Sequence, residues 1–376
     1  MAKRLFMVRL VIVAGLLAGM GLSWPLWLTR TDYPRVPAFD FIPALPRPLD
    51  ILLLIAFGVA LAFLAARPEA KWVAGIAFSA AVLLVLQDQS RLQPWFIEYL
   101  LLLTVVTFLG KEKAALNTCC LILSTVYFWS GVHKMNTSFM TNVFPLLVSP
   151  FVNSGTSSAV RYIGALIPFV EAGFAFALLR PRTRRSGVIA IVVMHLFLLA
   201  VLSPLALGWN SVVAPWNIAM IVLVPVLFWN SQASERELLA VSQFYWIPLL
   251  IMPALSLVGI WDTNPSFALY SGNQMIASVV LSPDAKERLS PQLKTLAEPF
   301  GNLYRVRLDD WSMAAMNVPA YPAERVLRSV AQTFCLLHVT NRNDVIFILE
   351  QPPQWLYRTG WHRIESAEQF CKEPMS

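Results

Sequence analysis

Charge is what this 376-residue chain has least of. Asp, Glu, Lys and Arg make up 14% of it, against roughly 25% in soluble domains. That balance excludes an ordinary soluble enzyme. Cysteine is also scarce, with four residues and no CxxC arrangement. A thioredoxin-type redox motif and a zinc knuckle are therefore both unsupported. His338 and His362 have no second partner at ligand spacing, so no metal is expected. The net charge of +7 does not point to nucleic acid, because no basic groove with interleaved aromatics is present. Residues 263–376 hold eleven basic and eleven acidic residues, so the whole excess lies upstream.

What the chain has in abundance is apolar runs. A bilayer core takes ~20 apolar residues of helix to cross. Runs near 5–28, 49–66, 72–87, 92–110, 114–135, 158–180, 187–208, 213–229 and 244–261 predict about nine spans, with eight or ten as alternatives because the run at 72–87 is short and Pro215 and Pro225 interrupt the eighth. The first is long and lacks a small-x-small cleavage site, so it reads as a spanning helix rather than a signal peptide. Gly15 and Gly19 in it form a small-xxx-small pair that permits close packing. Residues 140–152 contain Pro145 and Pro150 and fit a re-entrant or interfacial segment. The expected architecture is a polytopic α-helical membrane bundle over residues 1–262, followed by a small α+β extracytoplasmic domain over 263–376.

Loop charges set the expected orientation. With the N-terminus inside, twelve basic residues fall on inner segments and six on outer ones, as the positive-inside bias requires. The cluster Arg180–Arg185 weighs most, and reads as a topology determinant. Nine spans then place residues 263–376 outside, where an oxidising compartment allows a Cys335–Cys371 disulfide. In that domain, 276–281 and 303–308 read as strands and Val345–Leu349 as a β-prone run. Ser282-Pro283 marks a helix start. A helix from Tyr321-Pro322 to about His338 carries Val326, Val330, Phe334 and Leu337 on one face. No nucleophile–base pair or phosphate loop is visible there, so the domain reads as a binding or capping module.

Polar residues inside the apolar runs carry the functional signal, since ionisable groups in a bilayer are costly. The run from 114 ends in Tyr127-Phe128-Trp129-Ser130-Gly131-Val132-His133-Lys134. Lys134 is twenty-one residues after Lys113, about 30 Å along a helix. Glu171 and His195 lie ~13 and ~12 Å from the inner edge on neighbouring helices, which predicts a Glu171–His195 contact and separates both from Lys134. By depth, the expected neighbours of Lys134 are Glu98 and the loop 208–217. That loop carries Asn210 and Asn217, each next to a tryptophan.

The stretch Tyr127–Lys134 resembles the aromatic–Gly–x–x–Lys helix end of vitamin K-dependent γ-carboxylase-like proteins. Their bacterial relatives are the horizontally transferred transmembrane domain (HTTM) proteins. Glu171 before an arginine-rich loop and His195 in the next helix follow the same order, and DoxX-like quinone-associated proteins look partly alike. The resemblance implies a bacterial inner-membrane protein with its C-terminal domain in the periplasm. It also implies a quinone/hydroquinone cofactor whose reduced form is deprotonated by Lys134. His133, Glu171 and His195 join Lys134 as catalytic candidates. Glu98, Tyr127, Trp129, Asn210 and Asn217 are candidates for binding the lipophile.

Three readings follow. The first is a membrane enzyme acting on a lipophilic, quinone-like small molecule at the outer face. The second is a non-enzymatic assembly or accessory protein whose periplasmic domain binds a protein partner. The third is a proton-coupled transporter that uses Glu171 and His195. In all three the lipid bilayer is a partner and nucleic acid is not.

Overall fold

The computed structural model describes residues 2–30, 32–67, 69–152, 158–240, 243–339, 341–353 and 359–371. Among the described residues six helices are long and apolar enough to cross a bilayer. They are Ala2–Leu22, Arg47–Ala66, Glu112–His133, Ser158–Leu179, Arg184–Leu202, and Ala214–Phe228 with the short turn before it. The expected nine spans are not confirmed. Three of the runs form shorter helices instead: Lys71–Gln87, Pro94–Phe108 and Ile247–Leu257. Helix starts and stops explain the difference. Pro94 occupies the first helical turn and cuts that run short, and Pro253 lies inside the last. In chain order these nine helices are named α1 (2–22), α2 (47–66), α3 (71–87), α4 (94–108), α5 (112–133), α6 (158–179), α7 (184–202), α8 (214–228) and α9 (247–257).

The bundle is built round α5. Within its most apolar window 78% of residues are buried, against 28–56% for the other five long helices, so α5 faces protein where its neighbours face lipid. Gly15 and Gly19 of α1 seat two rings of α4. A side chain at Gly15 would overlap the Tyr99 hydroxyl, and one at Gly19 would lie 2.9 Å from the Trp95 ring. The segment 140–152 contributes a short helix, Phe139–Val148, against α6.

The two sets of loop charges stand at opposite ends of the bundle. At the richer end, Arg4 donates to the Val226 and Leu227 carbonyls. Arg184 donates to the carbonyls of Leu178, Leu179, Ser231 and Ala233. It is therefore a cap for the open carbonyls at the end of α6 as well as a topology signal. At the other end, Arg91 donates to the Leu26, Trp27 and Leu84 carbonyls, and Arg30 pairs with the fully buried Asp88 at 2.6 Å.

The tail docks on this second end. It holds a five-stranded antiparallel sheet of β1 (Ile276–Leu281), β2 (Glu298–Phe300), β3 (Leu303–Arg307), β4 (Val345–Gln351) and β5 (Trp361–Ser366), in the order β2-β3-β1-β4-β5. In the central strand, Val279 faces Val306 on one side and Phe347 on the other. Ser282 caps the following turn by accepting from the Ala285 N–H. Two helices cover the sheet, α10 (Leu308–Met316) and α11 (Glu324–His338). The expected apolar face of α11 holds at Val326, Val330 and Phe334, but Leu337 is 64% exposed. Leu327, Ala331 and Cys335 are buried in its place, because the sheet meets α11 one residue round from the expected stripe. Cys335 and Cys371 form the expected disulfide, which ties the described end of the chain back to α11.

Asp309, in the first turn of α10, accepts from the Ala320 N–H at 3.2 Å. Burial pushes its carboxyl up to about 6, with Arg307 opposing and Asp310 adding. The folded protein therefore binds more protons than the unfolded chain between the ordinary carboxyl value and about 6. Stability falls as pH rises through that window. Asp309→Asn is expected to flatten this part of the profile, read as thermal unfolding against pH for both proteins. Parallel wild-type and variant curves would count against it.

Candidate functional site

The site begins with a glycine. At Gly131, α5 touches α6 backbone to backbone: a side chain there would lie 2.5 Å from the Pro168 carbonyl oxygen and collide with the backbone of Ala172. Only a residue without Cβ permits this approach. Lys134 lies one turn beyond Gly131, and Glu171 one residue before Ala172. The crossing therefore brings the two side chains together, and Lys134 Nζ donates to Glu171 Oε1 at 2.8 Å.

Lys134 also donates to Ser130 Oγ at 2.7 Å and to the Ser130 carbonyl at 3.3 Å. Each of the three hydrogens of an ammonium thus has an acceptor. The pair is sealed, with side-chain exposures of 8% and 10%. This corrects the expected separation of Lys134 from Glu171. The helix ruler placed Lys113 and Arg180 at a common edge. With Gly131 facing Ala172, Arg180 lies ~12 Å farther along, opposite the middle of α5, and Lys113 projects past it to reach Glu237.

A second network runs beside the first. Asn217 Nδ2 donates to the Val213 carbonyl at 2.9 Å, which turns Asn217 Oδ1 toward His195 Nδ1, 2.7 Å away. An amide oxygen can only accept, so Nδ1 carries the imidazole proton. His195 Nε2 is then bare and accepts from the Tyr127 hydroxyl at 2.8 Å. The chain of donors is directional: Tyr127 to His195 to Asn217 to the Val213 carbonyl. The expected Glu171–His195 contact is not made, because each residue is taken by a partner nearer its own level: Lys134 for Glu171, and Tyr127 with Asn217 for His195.

Both networks line one cavity of about 140 Å³. Tyr127, Ser130, Lys134, Glu171, His195 and Asn217 form its polar wall. Phe139, Phe144, Leu147, Ile167, Phe197 and Leu198 are among its apolar walls. Five of the expected site residues therefore meet: Lys134, Glu171, His195, Tyr127 and Asn217. The other four lie outside the cavity. Glu98 is fully buried and accepts from Trp216 Nε1 at 3.0 Å. Trp129 donates to the Leu249 carbonyl at 2.8 Å, tying α5 to α9. His133 points away from Lys134 and meets Asn273 of the tail linker at 3.2 Å. Successive helix positions are turned by ~100°, so adjacent His133 and Lys134 cannot serve one site. Asn210 lines a second space.

That second space is a cleft of about 400 Å³ between bundle and tail. It shares Leu147, Trp216, Leu269 and Tyr270 with the cavity, so these four form the partition. Tyr270 accepts from Asn210 Nδ2 at 2.9 Å. Both residues are left-handed, with φ of 46° and 53°, a region non-glycine residues seldom occupy. Sequence reading missed Ser130 and Tyr270 as site residues. Ser130 could have been found from its place one helical turn before Lys134. Tyr270 sits in an irregular linker and gave no periodic signal.

Residues 112–213 match the family model described as methylamine utilisation protein MauE. The matched stretch contains Tyr127, Ser130, Gly131, Lys134, Glu171 and His195, and ends just before Asn217. No curated protein and no solved structure matches the chain. The MauE match overturns the resemblance to vitamin K-dependent γ-carboxylase-like, HTTM and DoxX-like proteins. The geometry explains how that resemblance arose. A glycine one turn before a lysine is what a tight crossing beside a paired lysine demands, so packing alone can generate the Gly–x–x–Lys part of that pattern. The chain is an integral, multi-pass membrane protein with a disulfide-tied tail.

Removing one partner of a buried pair leaves the other uncompensated, at about 3–5 kcal/mol. Lys134→Met and Glu171→Leu should each destabilise the bundle by that order. The double variant should be more stable than either single one, as read by unfolding in detergent. Additive losses in the double variant would mean that the two groups do not depend on each other.

Proposed function

We propose that this chain is a membrane accessory protein of a methylamine-utilisation system, with the tail as the part that engages a protein partner. The observation that carries this reading is the MauE match over 112–213, which covers three of the helices that line the cavity, α5, α6 and α7. The geometry of Lys134 supports it as well. An ammonium with three acceptors has no lone pair to offer, so Lys134 suits fixing the helix crossing better than acting as a free base. A quinone or hydroquinone head group would have to sit in the cavity, and the accessory reading does not require one. The transporter reading loses its motive, because Glu171 and His195 belong to separate networks.

The tail docks at the end of α1 opposite Arg4, where Asn317 donates to the Leu22 carbonyl. With the basic excess at the Arg4 end, the positive-inside bias supports a cytoplasmic N-terminus and a periplasmic tail in a bacterial inner membrane. The Cys335–Cys371 bridge fits an oxidising compartment.

In the native host, deleting the gene should abolish growth on methylamine as nitrogen source while growth on ammonium persists. Equal growth of the deletion strain on both would sink the reading. Orientation is checked separately. Alkaline phosphatase should be active when fused after the tail and inactive when fused after Gly110, and the reverse pattern would invert the layout.

A further inference from the structure

We propose that the membrane cavity beside Lys134–Glu171 is a binding site for an uncharged, single-ring molecule carrying a hydroxyl group, such as a phenol. The inference does not depend on the accessory reading. It rests on the size, charge and unused hydrogen-bonding capacity of this cavity.

Size comes first. The cavity is about 140 Å³, and a void of about 150 Å³ in an apolar core is enough to hold benzene. The walls suit a flat ring. Phe139, Phe144, Phe197 and Trp216 supply aromatic surface, and Met194 and Met220 supply adaptable thioethers.

Charge comes second. Lys134 and Glu171 cancel each other and are both buried. A cation or anion added beside them would leave one charge uncompensated in apolar surroundings, which is costly. The ligand is therefore neutral. Methylammonium is excluded by the same reasoning, although the family match makes it the obvious candidate.

Hydrogen bonding comes third. Most donors on the polar wall are spent: Lys134 on Ser130 and Glu171, Tyr127 on His195, His195 Nδ1 on Asn217, and one hydrogen of Asn217 Nδ2 on the Val213 carbonyl. The Ser130 hydroxyl, which accepts from Lys134, keeps its own proton. Acceptor capacity remains as well. Glu171 uses Oε1 for the lysine, which leaves Oε2. The Tyr127 oxygen donates its one proton and keeps its lone pairs. A wall with free acceptors and a free hydroxyl proton calls for a group that both donates and accepts, and a hydroxyl on a neutral ring does both without adding charge.

The test uses the full-length protein in lipid nanodiscs and fluorine NMR of para-fluorophenol and para-fluorotoluene, with empty nanodiscs as the partition control. Wild type should bind para-fluorophenol saturably. Para-fluorotoluene should bind about tenfold more weakly, the worth of one hydrogen bond. Leu198→Trp, which fills the cavity, should abolish saturable binding. Tyr127→Phe should weaken it several-fold, and methylammonium should not compete. Equal binding of the two probes by wild type would overturn the proposal without any variant. So would displacement of the phenol by methylammonium, or binding that survives Leu198→Trp.

Discussion

An ammonium group in an apolar bundle must meet acceptors on every hydrogen, and the crossing at Gly131 makes this possible. Two of the acceptors belong to α5 itself, at Ser130. The third, Glu171, belongs to another helix and is within reach only because α5 and α6 touch backbone to backbone. Any side chain at Gly131 would force the helices apart by roughly the width of a methyl group. A 2.8 Å ion pair would then lengthen toward a distance at which it no longer offsets desolvation. The ion pair in turn fixes the rotation of α6, and with it one wall of the cavity. The polar wall is thus a consequence of one small residue placed where two helices need it.

The two networks in that wall differ in kind. The lysine–carboxylate pair is closed on itself and holds two helices. The Tyr127–His195–Asn217 chain is open at one end. It starts on α5, crosses α7, and ends, through Asn217 of α8, on the Val213 carbonyl in the turn before α8. Its direction follows from the Asn217 amide, whose nitrogen is committed to Val213. A change in the rotation of α8 would be transmitted to the Tyr127 hydroxyl through hydrogen bonds that each have only one workable polarity.

Local signals were legible and relative ones were not. Strand 276–281 and the Ser282-Pro283 start came out as read, because a short apolar run with β-branched residues and a proline after a capping serine act on their own neighbours. The Cys335–Cys371 bridge followed from compartment and cysteine number. Lys134 and Glu171 were each singled out correctly as costly residues, yet their pairing was missed. Pairing depends on how far one helix slides along another, and that is set at Gly131 by a contact between residues 41 positions apart. Tyr127 and His195 failed to pair on paper for the same reason, since depth along a helix says nothing of its rotation. The nine apolar runs were real, and the run at 72–87 was visibly short, but hydropathy alone did not show that α4 and α9 also fall below the length of a full span.

Those short helices give the tail a structural duty. At ~1.5 Å per residue, α4 covers roughly 22 Å of a hydrocarbon layer about 30 Å thick. The polar groups at its start need partners that lipid cannot supply. The tail and its linker provide them. Asn264 donates to the Leu92 carbonyl, and Arg325 donates to Gln89 at 2.8 Å. Trp311 donates to the Asp32 carbonyl at 2.8 Å. The division near residue 262 is therefore a change of architecture and not a mechanical joint. The same linker carries Tyr270, which stands between cleft and cavity, and Asn273, which holds His133 at the end of α5. A partner that pulls on the tail would act on the partition and on the helix bearing Lys134 together, because both are anchored in one short segment of chain.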